Sequence, residues 1–130
     1  FDLRGTLAAL PPSVPAVVVA EYSTAAALTK AHPAIINTLL DVARRAPNVA
    51  GIVSQTVTPE RAGDLLIATP GVHLSAKRDE RDQRYRPPSR VRADLYIVGR
   101  GIYEAPDPAA AARQFRHACN VANAIPDGGG

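Results

Sequence analysis

Asp94-Leu95-Tyr96-Ile97-Val98-Gly99-Arg100-Gly101 is followed a few residues on by Asp107-Pro108. An apolar, strand-like run ends in two glycines flanking an arginine, and a helix start follows. Glycine lets a backbone turn sharply and approach a ligand, and the planar guanidinium offers a fork of donors matched to phosphate. The stretch therefore predicts an anion site at the carboxyl end of a buried strand.

Working outward, three earlier runs resemble this strand: Ala16 to Tyr22, Val49 to Gln55 and Leu65 to Thr69. All four are nearly continuous in Val, Ile and Leu, as expected of parallel strands covered on both faces. Pro33 opens a helix with apolar positions at Ile36, Leu39, Leu40 and Ala43, and Pro47-Asn48 stops it. Thr58-Pro59-Glu60-Arg61 and Pro88-Ser89-Arg90-Val91 have room for about a turn of helix each. After the fourth strand, Asp107 is an N-cap and Pro108 a first helical residue, with one apolar stripe at Ala111, Phe115, Ala118, Ala122 and Ile125.

Strand and helix thus alternate four times, which implies a mostly parallel sheet. Two architectures fit, an open doubly wound sheet or half of an eight-stranded barrel. No G-x-G-x-x-G and no P-loop lysine motif follows any strand, which removes the main support for dinucleotide and NTP folds. Barrels often hold phosphate in the loops after their last two strands, here Thr69-Pro70-Gly71 onward and Gly99-Arg100-Gly101. We expect a TIM-type (β/α)8 barrel of which this chain supplies about half, (β/α)4. Residues 1–130 then form a single partial domain: 1–15 the end of a preceding helix or linker, 16–124 four βα units, and 125–130 a flexible tail.

The 130 residues carry a net charge of +3, and 46% are hydrophobic, enough for one core. Lys30 and Lys77 are the lysines, so arginine supplies nearly all the positive charge, favouring fixed anion recognition over proton chemistry. The modest net charge requires no nucleic-acid partner. Cys119, the sole cysteine, excludes an internal disulfide and a multi-cysteine zinc site, and suits a reducing, cytoplasmic setting. The longest apolar stretch, Val14 to Ala20, is too short to span a membrane, and no secretion signal opens the chain.

The longest loop, Gly71 to Pro87, contains Asp82-Gln83-Arg84-Tyr85-Arg86. Gln83 and Tyr85, two apart in an extended segment, point the same way and with Arg100 make a phosphate clamp. The alternative is a solvated arginine-rich loop, since Arg78, Arg81, Arg84, Arg86, Arg90 and Arg92 lie nearby. At the end of the first strand Glu21 and Ser23 share a side. Ser23 either bonds a heterocycle or caps a turn. Glu21 is either a catalytic carboxylate or half of an ion pair below the rim. Pro70 offers a rigid wall for a flat ring. His32, His73 and His117 lack metal-ligand spacing and read as non-catalytic, Cys119 as packing, and Lys77 with Asp79, Glu80 and Asp82 as a solvated charge run.

Taken together, these motifs resemble the carboxyl-terminal half, strands five to eight, of the orotidine 5'-phosphate decarboxylase family. Ala20-Glu21-Tyr22-Ser23 resembles the end of the fifth strand, Gly51-Ile52-Val53-Ser54-Gln55 the sixth, and Thr69-Pro70-Gly71-Val72 the seventh. Gln83-Arg84-Tyr85-Arg86 resembles the Gln-Gln-Tyr-Arg phosphate loop, and Ile97-Val98-Gly99-Arg100-Gly101-Ile102 the eighth strand and its turn. The likeness runs from about Val17 to Ala122.

That resemblance implies that Ser23 contacts the pyrimidine, that Pro70 and Val53 border its pocket, and that Gln83, Tyr85, Arg100 and the Gly99 backbone hold the phosphate. It implies a cofactor-free, metal-free conversion of orotidine 5'-monophosphate to UMP and CO2 in pyrimidine synthesis, by a homodimer of complete barrels. Three departures stand out. Thr24-Ala25-Ala26-Ala27 replaces glycine-containing sequence, and Arg78-Asp79 and Asp82-Gln83 replace Gly-Asp and Gly-Gln. The family's Asp-x-Lys-x-x-Asp array occurs nowhere in this chain, so no catalytic residue is assigned in it. The expectation is therefore a barrel half that acts with a first half on the same precursor or another chain. The alternatives are a non-catalytic nucleotide-monophosphate-binding or scaffold protein and a related barrel enzyme acting on a ribulose phosphate.

Overall fold

The Asp2 carboxylate accepts the Gly5 amide at 3.0 Å and caps helix α1, Leu3–Ala9. The computed structural model describes residues 2–23, 28–80 and 82–124. Pro11-Pro12 follows α1 and forces Leu10 into extended backbone. Strand β1 is Ala16–Val19, followed by α2 at Leu28–Ala31 and α3 at Ala34–Arg45, which buries Ile36, Leu40, Val42 and Ala43. Then come β2, Val49–Val53; α4, Pro59–Ala62; and β3, Leu66–Thr69. A small antiparallel ribbon, β4 at Lys77–Arg78 and β5 at Arg84–Tyr85, precedes a 3-10 turn at Pro88–Arg90. Strand β6 is Leu95–Tyr96, α5 is Arg100–Tyr103, and α6 is Pro108–Ala124.

The four main strands pair in parallel in the order β1-β2-β3-β6, which is their order along the chain. A doubly wound sheet would reverse direction at a switch point and carry helices on both faces. This sheet does neither, and its fold class is that of a TIM-type (β/α)8 barrel, with four βα units in this chain. Registry places Val18, Ile52 and Ile67 on one face, where they are sealed against the helical layer with Ile36, Leu40 and Ala43.

The opposite face corrects one expectation. Val17 and Val19 of β1, Leu66 of β3 and Leu95 of β6 are each about half exposed, so these strands are covered on one face only. In a barrel that face is filled by side chains from the remaining strands, which explains why its residues are apolar without being buried.

Three further differences have local causes. Strand β1 ends at Val19 rather than Tyr22 because the Ala20 and Glu21 amides both donate to the Val53 carbonyl, closing the ladder. The long loop contains the β4–β5 ribbon, turned through Asp82 at φ 56°. Arg100 does not stand in a bare turn ahead of the last helix; it opens α5. Neither Gly99 nor Gly101 uses positive φ. Glycine is needed at 101 for packing instead, because a Cβ there would lie 2.7 Å from Phe115 Cζ.

The last helix follows its sequence signals: the Ala110 amide donates to Asp107 Oδ1 at 2.9 Å, and Ala111 and Phe115 are buried. Ile125, the expected tail 125–130, the Thr24–Ala27 departure and Arg81 lie outside the described residues. Among the described residues no helix is long and apolar enough to cross a membrane.

Candidate functional site

The ribbon is rooted at the carboxyl end of β3. Gly71 takes φ 72°, and its carbonyl accepts the Arg86 amide at 3.0 Å while the His73 amide donates to the Arg86 carbonyl at 3.0 Å. A Cβ on Gly71 would meet the Gln55 side chain, the Arg84 carbonyl and Ser23 Cβ, so only glycine fits. Gln55 Nε2 donates to the Pro70 carbonyl at 3.1 Å, and Arg86 Nη2 donates to the Gln55 carbonyl at 2.8 Å. These bonds pin the ribbon to the ends of β2 and β3.

From that root, Gln83 and Tyr85 project to the same side. The Tyr85 hydroxyl donates to Gln83 Oε1 at 3.1 Å, and Arg100 Nη2 donates to the same oxygen at 2.8 Å. Gln83 Nε2 donates to the Ser23 hydroxyl oxygen. The Arg100 guanidinium sits 5.8 Å from the Tyr85 ring centroid, with the Lys77 ammonium 5.5 Å from that ring. Ser23, the Gln83–Tyr85 pair and Arg100, from three separate parts of the chain, thus form one hydrogen-bonded cluster. Of the other expected site residues, Pro70 follows β3 and its carbonyl accepts from Gln55, Val53 ends β2 in register with Val19 and Ala68, and Gly99 precedes α5.

Asp79 also belongs to the cluster, which corrects its assignment to a solvated charge run. Its Oδ2 lies 3.2 Å from the Tyr85 hydroxyl, whose single proton is shared with Gln83 Oε1, and pairs with Arg100 Nη2, while its Oδ1 accepts the Gln83 amide at 2.9 Å. The Asp79 side chain is 9% exposed and that of Arg100 21%. The sequence signal for it was the Arg78-Asp79 pair, standing where the resembling family has Gly-Asp. Glu80, 3.5 Å from Arg100 Nη1, remains at the surface, as that reading expected.

Glu21 is buried, and among the described residues it forms no ion pair below the rim. Its Oε2 accepts from Ser54 Oγ at 2.9 Å, the Gln55 amide at 2.9 Å, the Thr56 amide at 3.0 Å and Thr56 Oγ1 at 2.9 Å. This buried carboxylate organises the turn after β2, next to Gln55. Nearby, the Lys30 ammonium donates to the Ser23 carbonyl at 3.3 Å, and burial pulls its pKa down against the opposing pull of Glu21.

A cavity of about 530 Å³ opens beside the cluster, lined by His73, Lys77, Asp79, Tyr85, Arg100 and Tyr103. Burial raises the Tyr85 phenol above its ordinary range, although Arg100 opposes the shift, so Tyr85 serves as a neutral donor. His73 packs edge-on to Tyr85 and Phe115 at 5.9 and 6.0 Å, and burial, with Lys77 second, lowers its pKa. Burial likewise raises the half-buried Cys119 thiol, away from reactive thiolate. Among the described residues, no three of His, Cys, Asp and Glu are grouped to hold a metal ion. Chemically, the cluster sets neutral and cationic donors, Tyr85 and Arg100, against two acceptors, Gln83 Oε1 and the Asp79 carboxylate.

The model of the orotidine 5'-phosphate decarboxylase / HUMPS family matches residues 5–115, which contain every residue of this cluster. The chain belongs to that family. The orotidine 5'-phosphate decarboxylase of Penicillium nalgiovense is 36% identical over 112 residues, covering 77% of this chain and 40% of the relative. That of Passalora fulva is 46% identical over 67 residues, covering 49% of this chain and 24% of the relative. The chain therefore spans well under half the length of these decarboxylases. The crystal structure of orotidine 5'-monophosphate decarboxylase from Metallosphaera sedula shares the fold, with TM-score 0.61 and 24% identity over 92% of this chain and 57% of that one.

Proposed function

We propose that this chain supplies the phosphate and pyrimidine contacts of an orotidine 5'-phosphate decarboxylase, as the carboxyl-terminal half of its barrel. Residues 16–124 form the four βα units, and a first half comes from the same precursor or another chain. The observation that carries the reading is the meeting of Tyr85 and Arg100 at Gln83 Oε1, with Gln83 tied to Ser23. Arg100, Tyr85 and the Gly99 backbone grip the 5'-phosphate. Gln83 bridges from that grip to Ser23, which meets the pyrimidine, with Pro70 and Val53 as its apolar wall.

In the reaction, the bond from C6 to the carboxylate breaks, CO2 leaves, and the electron pair at C6 takes a proton from a lysine of the first half. This chain's part is remote from C6. Phosphate contacts hold the ribbon closed over the ligand, exclude water and supply binding energy that is used in the transition state. No cofactor is needed. The completed barrel works as a cytoplasmic homodimer.

The test has two stages. UMP should bind the chain, and Arg100→Ala should weaken it about 10- to 100-fold, as expected for loss of a charged hydrogen-bond donor. Mixing with a first half that bears Asp-x-Lys-x-x-Asp should then restore decarboxylation. Binding without turnover under such pairing would favour the second reading, a non-catalytic nucleotide-binding protein. A response to a ribulose phosphate and none to UMP would overturn both.

A further inference from the structure

Two of the donors assigned to the phosphate are already engaged by a carboxylate of the chain itself. Asp79 Oδ2 receives both Arg100 Nη2 and the Tyr85 hydroxyl. A carboxylate oxygen and a phosphate oxygen are the same kind of acceptor to a guanidinium and a phenol, so each can replace the other there. Asp79 is also held in place to act this way. Its amide donates to the Gln83 carbonyl at 3.2 Å, its carbonyl accepts the Asp82 amide at 3.0 Å, and its Oδ1 accepts the Gln83 amide. The backbone of the ribbon, rather than chance side-chain reach, sets this carboxylate against Arg100.

We propose that Asp79 is a displaceable internal ligand: its Oδ2 stands where a phosphate oxygen will bind, and an incoming phosphate must expel it to engage Arg100 and Tyr85. This rests on the assignment of those two residues to phosphate under the proposed function. The contact has two consequences. It keeps Arg100, Tyr85 and Gln83 converged without ligand, which preserves the shape of the grip. It also makes only a fraction of the molecules competent to bind at any instant, which lowers apparent affinity by that fraction. A phosphate dianion, with more charge and more acceptor oxygens than one carboxylate, can displace Asp79; a weakly binding monoanion leaves it in place.

The experiment is a calorimetric titration of the 130-residue chain with inorganic phosphate, and in parallel with UMP. Asp79→Asn and Asp79→Ser should each bind phosphate about three- to tenfold more tightly than the original chain. In an Arg100→Ala background, Asp79→Asn should give no gain. In the unsubstituted chain, the Asp79 carboxyl carbon resonance should shift on saturation with phosphate. Unchanged or weakened phosphate binding by both variants, or a carboxyl resonance that does not move, overturns the proposal. Inorganic phosphate carries no base, so the two readings separate. Tighter phosphate binding by Asp79→Asn with no response to UMP removes the nucleotide assignment and keeps this inference. UMP binding through Arg100 with no gain in Asp79→Asn does the reverse.

Discussion

The Ser54 hydroxyl donates to the Glu21 carboxylate at 2.9 Å, joining the end of one strand to the end of the next inside the protein. Both residues are buried, and the same Glu21 oxygen also receives the Gln55 and Thr56 amides. A carboxylate with this many donors orders the turn that presents Gln55, which in turn holds the Pro70 carbonyl under the ribbon. Glu21 therefore acts on the candidate site through the backbone rather than by touching a ligand.

Removing that carboxylate leaves several buried donors unmatched. Glu21→Ala should destabilise the fold by about 2–4 kcal/mol, and Ser54→Ala by about 1–2 kcal/mol. The double variant should lose less than the sum, because the two share a bond. Denaturant unfolding of the four chains measures this coupling.

Gly101 lies against Phe115 with no room for a side chain. Gly101→Ala should cost about 1–3 kcal/mol, as overpacking does, and should push α5 away from α6. Because Arg100 is the neighbouring residue of α5, phosphate affinity should fall with it. Unfolding and phosphate titration of one variant follow both effects; loss of stability with unaltered phosphate binding would separate Arg100 from the helix packing.

His73 predicts a pH dependence. Burial, and then the nearby Lys77, lower its pKa below the ordinary 6.5, so the folded chain prefers the neutral ring. A depressed folded pKa gives stability that is complete above the unfolded value and is lost as pH falls through 6.5 toward the folded value. Stability measured at about pH 7.5 and about pH 5.5 should show that loss. In His73→Phe, which keeps the ring contacts with Tyr85 and Phe115, this part of the loss should vanish.

The uncovered sheet face predicts self-association. Val17, Val19, Leu66 and Leu95 present apolar surface to solvent, which in isolated chains is a docking or aggregation surface. Light scattering should show association of the original chain. A Val19→Lys, Leu66→Lys chain should scatter less, with stability changed by about 0.5 kcal/mol or less. Addition of a first barrel half should suppress association of the original chain and have little effect on the doubly substituted one.

Much of the architecture was legible because it is written in contiguous residues. Apolar runs such as Val49 to Val53 become strands wherever they can pair, and Asp107-Pro108 carries its own capping chemistry. The same local logic brought Gln83 and Tyr85 to one side, since a two-residue step does so in any extended segment. The ribbon was harder to see. Lys77, Arg78 and Arg84 show no apolar alternation, and their pairing rests on the bonds that tie Arg86 to Gly71 and His73. Asp79 was misread for a related reason: a carboxylate in a polar sequence looks solvated until a distant donor is brought to it, and Glu21, read as a catalytic group or half of an ion pair, is instead held by the hydroxyls and amides of the turn after β2.

The strand-helix alternation, the arginine-based anion chemistry and the residues that resemble the decarboxylase family can all be read from the order of amino acids. Those depend on side-chain type and short-range periodicity, which no later folding step alters. That helices cover one sheet face alone, that Glu21 is consumed in ordering a turn and that Asp79 occupies Arg100 emerge with the folded chain. Each of these is a contact between segments far apart in the chain. Burial and charge pairing depend on which groups the fold brings within a few ångströms, and local sequence carries no record of that distance.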